Sequence, residues 1–553
     1  MIRKIICAGS QRGFHFVMTT TPSPSLFTGV PDDATLSRAA DQLLQTLKTA
    51  AGPLPLAPGD DMVHIPDTAD QAYWAYEQLR NAVEYQEQHL LMRNAIGRFL
   101  NRHFSDAANG KTTIGYELVR ELTKARYLAN NSVLESVINE VDEHIAGYQK
   151  LHHHTLPFIK RDKAGVLRRI IGIASADIQN LLLPNPQQTA LINFTFHSLY
   201  AHLETPQPLS EIEAAALYAA VHRALLKSDE ATISFSMFNN QFMQWQTTEQ
   251  HIMAAGQRLP EFFVFLEDVL YGDAAYRMNR LARNNIAPYI VLHSTLQELK
   301  DPASLLEQPA KLLSKAAEVT EVQYGKAKKR LRSSVVRAII FLFITKMVIG
   351  LILEIPYDIY VNGHIDWLPL AINLIFPPLY MLGIGLTIKT PDYKNTDKIL
   401  HDLRAALYQQ GKLHYVLPRA RREQVSFGFN LIYTIITLAV LGGLAYGLYL
   451  VHFTIASGLI FFLFLSTVSF FGYRISQAVR ELQLVDKRTA LDVLGSIIFT
   501  PFIRLGQWLS SRYSKVNIFI IILDFIIEAP LKTLLRLYEQ WLAFLRDKQD
   551  DVL

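Results

Sequence analysis

Lys346, Gly350 and Glu354 stand four residues apart inside an apolar run from Val335 to Ile355. On a helix, four-residue steps keep side chains on neighbouring parts of one face. The ammonium and the carboxylate would therefore share a face across a glycine. Lys346 is near the middle of the run and cannot easily reach the interface. An ionisable group at that depth costs about 2.5–3.5 kcal/mol on insertion scales, so it must face protein or water and find a partner. Glu354, two turns further along, is the expected partner. Pro356 follows at once and removes a backbone donor, so the helix is expected to kink or end there. Asp358 lies just beyond, near the surface. Two chemistries suit this set: an ion or proton path, or a structural charge pair that fixes helix packing.

Two other groups of residues could do chemistry. Phe525-Ile526-Ile527-Glu528-Ala529-Pro530 echoes Leu351-Ile352-Leu353-Glu354-Ile355-Pro356, and Asp524 lies one turn before Glu528. Asp524 and Glu528 thus join the same candidate path, although such matches arise easily in apolar sequence. Glu140 and His144 are one helical turn apart, and His152-His153-His154 follow. A metal site needs two or three such ligands to converge. The run leads into Thr155-Leu156-Pro157, so a polar helix end is the expected reading, with Glu140, His144 and His152 as weak metal candidates. No P-loop, H-E-x-x-H or G-x-S-x-G pattern occurs, so nucleotide hydrolysis, zinc proteolysis and esterase chemistry have no positive support. No cofactor is implied.

The elements that carry these residues change character along the chain. Before Arg332 no apolar run is long enough to span a bilayer, which takes about 20 residues. After it come four: 335–355, 367–388, 427–451 and 453–473. The second contains Pro377-Pro378, expected to distort it, and the third contains Gly443 and Gly447. That small-xxx-small pair would let another helix approach closely, from this chain or from a second copy in a homo-oligomer. Lys326, Lys328, Lys329, Arg330 and Arg332 precede the first run. Arg and Lys recur between the second and third, from Lys389 to Arg422, and after the fourth, from Arg474 to Arg488. The two intervening loops, Tyr357 to Asp366 and around His452, have neither. Basic residues remain cytoplasmic on insertion, so both termini are expected inside a cytoplasmic (inner) membrane, with two short hairpins outside.

Residues 33–309 show helical periodicity nearly throughout: Leu36, Ala40, Leu43 and Leu47 recur at helical spacing, a long helix is expected from about Asp67 to Phe104, and others over roughly 114–128, 132–151, 164–183, 187–203, 211–227, 247–271 and 274–299. Ser210 and Glu213 have the spacing of a capping box. Pro206 and Pro208 mark a possible boundary near 203–209. Residues 310–334 could run as a helical stalk into the first span. Residues 474–553 read as amphipathic, in-plane or re-entrant helices on the cytoplasmic side. The expected fold is all-α: a large cytosolic helical domain, a four-helix transmembrane bundle and an amphipathic C-terminal region.

Net charge is +4, with the excess near the apolar runs. That favours anionic lipid headgroups over nucleic acid as partner. The single cysteine, Cys7, excludes an intramolecular disulfide and fits a reducing compartment. Residues 1–32 read as disordered, or as an extension ahead of a start at Met18. Two functions suit the whole: a membrane-anchored scaffold whose cytosolic domain binds a protein partner, or an oligomeric small-ion or proton-coupled channel or transporter gated by that domain. An enzyme with dispersed residues has no specific support.

Overall fold

The computed structural model describes residues 36–50, 61–65, 88–104, 114–299, 301–388, 393–408, 413–418, 427–484 and 490–513, with isolated positions at 74, 77–78, 80–81, 391 and 541. Among them the fold is all-α, with two strands of two residues each, Leu203–Glu204 and Tyr415–Val416. The chain divides into two compact units, one built on Asp41–Asn279 and the other on Arg280–Val516.

After α1 (Arg38–Ala50), the first unit contains α2 (Gln88–His103), α3 (Ile114–Lys124), α4 (Glu135–Thr155), α5 (Lys163–Leu182), α6 (Pro186–Ala201), α7 (Glu211–Leu225), α8 (Glu230–Gln241) and α9 (Glu249–Tyr271). Their starts are written in side chains. Asp162, Asn185, Ser210, Asp229 and Thr248 each accept a hydrogen bond from a backbone N–H three residues on, one that the first turn leaves unpaired. At α7 the capping box is complete: Glu213 N–H donates to Ser210 Oγ at 3.3 Å, and Ser210 N–H donates to Glu213 Oε2 at 2.9 Å. The separate helix α8 was not expected from periodicity. Its marker is Asp229, which receives the Thr232 N–H at 3.0 Å. In the middle of this unit α5 packs on α2, α4 and α8, and α9 packs on α4 and α7.

One continuous helix was expected over 274–299. The structure instead has α10 (Asp273–Asn285) and α11 (Ala287–Gln297). Pro288 explains the break: its ring fits the first turn of a helix but not the interior.

The second unit continues with α12 (Pro302–Leu306) and α13 (Pro309–Ile349), an unbroken helix of 41 residues. A π turn, Gly350–Glu354, joins α13 to α14 (Ile355–Asn362). Then come α15 (Trp367–Thr387), α16 (Tyr393–Tyr408), α17 (Phe427–Leu450), α18 (Ile455–Arg480) and α19 (Ala490–Tyr513). Among the described residues four helices are long and apolar enough to cross a membrane: Pro309–Val361, Trp367–Thr387, Leu431–Leu450 and Ile455–Gln477. Helices α13, α15 and α18 pack on one another through Val335, Leu342, Met381, Phe464 and Val468, and α19 lies along α18. At the far end of this group Asn395 acts as a clamp. Its amide donates to Tyr324 Oη and to the Leu482 carbonyl, both at 2.7 Å, and its Oδ1 accepts the Leu484 N–H at 2.7 Å.

Two buried histidines in the first unit give a pH dependence. Burial pushes His222 down from an ordinary 6.5 to about 3, and His197 down to about 4. In the unfolded chain both would take up protons below about 6.5, whereas the folded chain keeps them neutral. Their contribution to stability is therefore present above pH 6.5 and is lost as pH falls toward those lowered values. His222→Gln should make denaturant-unfolding stability fall less steeply with acid than wild type; equal slopes would exclude His222 as a source.

Candidate functional site: a polar stripe between apolar helices

The helix that begins as α13 turns one line of residues inward. From Leu342 to its end, the buried positions are Leu342, Lys346, Gly350, Glu354 and Asp358. Around them Phe341, Ile344, Leu351, Ile352, Leu353 and Ile359 are exposed and apolar. The inward line thus carries three ionisable groups, with Lys346 and Asp358 1 % exposed and Glu354 0 %.

A regular α-helix would not keep this line straight. At about 100° per residue, eight residues carry Glu354 about 80° away from Lys346, and twelve carry Asp358 about 120° away. The π turn takes in one extra residue and removes about 100°, so both acids return to within about 20° of Lys346. Its defining bond runs from the Ile355 N–H to the Gly350 carbonyl. Pro356 supplies the reason for its position. In an α-helix the proline ring would collide with the carbonyl four residues earlier, which is that of Ile352, and Ile352 lies in the π turn. The expectation that the helix ends at Pro356 is thereby corrected. The helix widens just before the proline and then continues to Asn362.

Lys346 Nζ lies 3.5 Å from Glu354 Oε2 and 4.9 Å from the centre of the Phe464 ring on α18. The ring face adds a weak attraction for the ammonium. Asn373, buried on α15, donates its amide to Glu354 Oε1 and, at 3.1 Å, to the Ser457 carbonyl on α18. One side chain thus ties the three helices together around the carboxylate. Asp358 is held differently. Thr454, the cap of α18, donates its hydroxyl to Asp358 Oδ1 at 3.2 Å and lies 3.1 Å from Ser457 Oγ. Lys346 Nζ, Glu354 Oε2 and Asn373 Oδ1 have no hydrogen-bond partner among the described residues, although all are buried.

The other predicted residues are placed apart from this stripe. Gly443 and Gly447 lie on α17, where an added Cβ would meet nothing within 4 Å among the described residues. Close approaches in this unit are at Gly506 on α19, where a Cβ would collide with the Ser466 carbonyl and with Phe470, at Gly472 on α18 against Ile384, and at Gly385 on α15 against Val335. Asp524 and Glu528 lie outside the described residues. Glu140 is exposed, whereas His144 Nδ1 lies 2.7 Å from Asp177 Oδ2, which also accepts the Tyr148 hydroxyl at 3.0 Å. His152 is half-buried against the Phe104 ring. His154 Nε2 pairs with Glu249 Oε1 at 2.8 Å. No group of three or more metal-ligating side chains converges among the described residues.

Asn373, Thr454, Ser457 and Phe464 were not anticipated as partners. An asparagine within an otherwise apolar span was the available sign, because such a group must find a hydrogen bond inside the bundle. Comparison with known protein families, curated proteins and solved structures finds no match to this chain.

Coupling between Lys346 and Glu354 is measurable. Removing one member of a buried pair leaves an uncompensated charge and costs about 3–5 kcal/mol, whereas replacing both is often close to neutral. Lys346→Met should therefore be strongly destabilising, and adding Glu354→Gln should recover most of the loss. Unfolding of detergent-solubilised protein measures the cycle, and simple additivity would contradict the pairing.

Proposed function

We propose that the chain is a multi-pass membrane protein whose helical front unit binds a protein partner, and whose apolar helices form a locked anchor. The observation that carries this reading is the sealing of the polar stripe. An ion path needs polar groups that meet water from both sides. Here the three ionisable groups are 0–1 % exposed; Lys346 is ion-paired with Glu354 at 3.5 Å, Glu354 accepts from Asn373, and Asp358 accepts from Thr454. Beyond Lys346 the same helices close on Leu342, Val335, Met381, Phe464 and Val468. Groups used in this way fix helix register and packing.

In this reading the protein lies in the cytoplasmic membrane with both termini inside. Lys326, Lys328, Lys329, Arg330 and Arg332 support that orientation. They occupy the turns of α13 just before its apolar part, and all five are exposed. They would meet anionic lipid headgroups, each contributing about 1 kcal/mol of attraction near the surface. The exposed α17 leaves room for contact with a second copy.

Transport is the second reading, and the three ionisable groups gathered on one helix face are what favours it. The two separate in purified full-length protein reconstituted into liposomes. The anchor reading predicts proton, sodium, potassium and chloride fluxes no greater than in protein-free vesicles. A flux in wild type that Glu354→Gln removes would overturn it and place Glu354 on a path.

A further inference from the structure

The polar stripe does not balance its own charge. Lys346 can neutralise one carboxylate, and Glu354 holds that place at 3.5 Å. Asp358, one turn further on and just as buried, accepts from the Thr454 hydroxyl and has no cation in contact among the described residues. The groups facing it can be named element by element. On its own helix it faces Glu354, a like charge. From α18 it faces Thr454, which does not titrate here. In the turn after α14 stand His364 and Asp366, 3.2 Å from each other. A second bare carboxylate in this bundle would leave an uncompensated charge out of water, which is strongly unfavourable. A single proton removes that charge.

We propose that the stripe is a proton-binding site that holds one proton on Asp358 at neutral pH, while Lys346 and Glu354 remain an ion pair. The proton comes from water and returns to it; Asp358 passes between carboxylate and carboxylic acid, and no other bond changes. Exchange is one-sided. Asp358 lies one turn from the end of α14 at Asn362, beside Thr454 and Ser457, which begin α18. Lys346 is followed in the other direction by the apolar group Leu342, Val335, Met381, Phe464 and Val468. With the membrane orientation proposed above, on which this inference rests, the site takes its proton from the outer side. The bundle then senses external pH without conducting protons. When Asp358 loses its proton, its new charge weakens the fit of α14 against the start of α18.

Infrared difference spectroscopy of the full chain in lipid nanodiscs tests this, with circular dichroism as the check on folding. Wild type at neutral pH should show the C=O band of one protonated carboxyl in an apolar setting, shifted by deuterium. Asp358→Asn should abolish the band. Lys346→Met with Glu354→Gln leaves Asp358 as the stripe's only carboxyl and should keep the band, so the test survives if single variants misfold. Absence of the band in folded wild type would overturn the proposal, as would its survival in Asp358→Asn. A band present only in sodium-free buffer would also overturn it, by making the natural occupant a sodium ion. Membrane residence is tested separately by resistance to alkaline extraction, so a failed orientation and a failed proton site give different results.

Discussion

The pairing of Lys346 with Glu354, 3.5 Å apart and closed off from solvent, constrains the whole apolar half of the molecule. Charges held there are tolerated only when each has a fixed neighbour. That requirement sets the line on the first apolar helix, the place of Asn373 on α15 and the seat of Phe464 on α18. It also sets where the helix departs from α geometry. Without the extra residue of the π turn, Glu354 would point toward the exposed side, where Leu351, Ile352 and Leu353 now lie. Pro356 and the ion pair therefore act together. The proline disfavours a regular turn, and the widened turn brings the acids into line with the lysine.

A second asparagine repeats the device at the opposite end of the group. Asn395 fastens α13, through Tyr324, to the chain leaving α18. Asn373 fastens the other end to the start of α18. Between them the helices meet mostly through apolar side chains, with one polar contact, Tyr380 Oη to Ser469 Oγ at 2.9 Å, and apolar packing alone leaves register weakly specified. Two buried amides supply that register: Asn395 bonds at both ends of its amide, and Asn373 donates to one side-chain and one backbone partner. Helix α17 packs through Val440, Leu441, Leu444 and Leu448 against Phe461, Leu465 and Phe502, and its Gly442, Gly443 and Gly447 meet no described residue.

Much of this was legible in the residues, and the parts that were not have physical reasons. Apolar length and composition suffice to find four long helices, because that property is local and additive. Capping side chains mark helix starts for the same reason, as Ser210 and Glu213 do. The four-residue spacing of Lys346, Gly350 and Glu354 pointed to a shared face. It could not show that a regular helix drifts off that face, or that a π turn corrects the drift. The partners Asn373, Thr454 and Ser457 come from helices distant in sequence, so no spacing rule reaches them. Gly443 and Gly447 match a packing pattern, and the close contacts among the described residues fall at Gly385, Gly472 and Gly506. A glycine's role depends on which neighbour arrives, which no local pattern specifies.

The central claim is that one extra residue in the turn before Pro356 holds the lysine and both acids on one line. Single-residue changes of helix length test it most directly, read as thermal unfolding of the full chain in detergent. Deleting Leu351 together with Pro356→Ala should restore a regular helix with Glu354 and Asp358 still in line, and so retain stability close to wild type. Inserting one alanine at the same place should rotate both acids by about 100° and destabilise the bundle severely. If the deletion proves as damaging as the insertion, the alignment account is wrong.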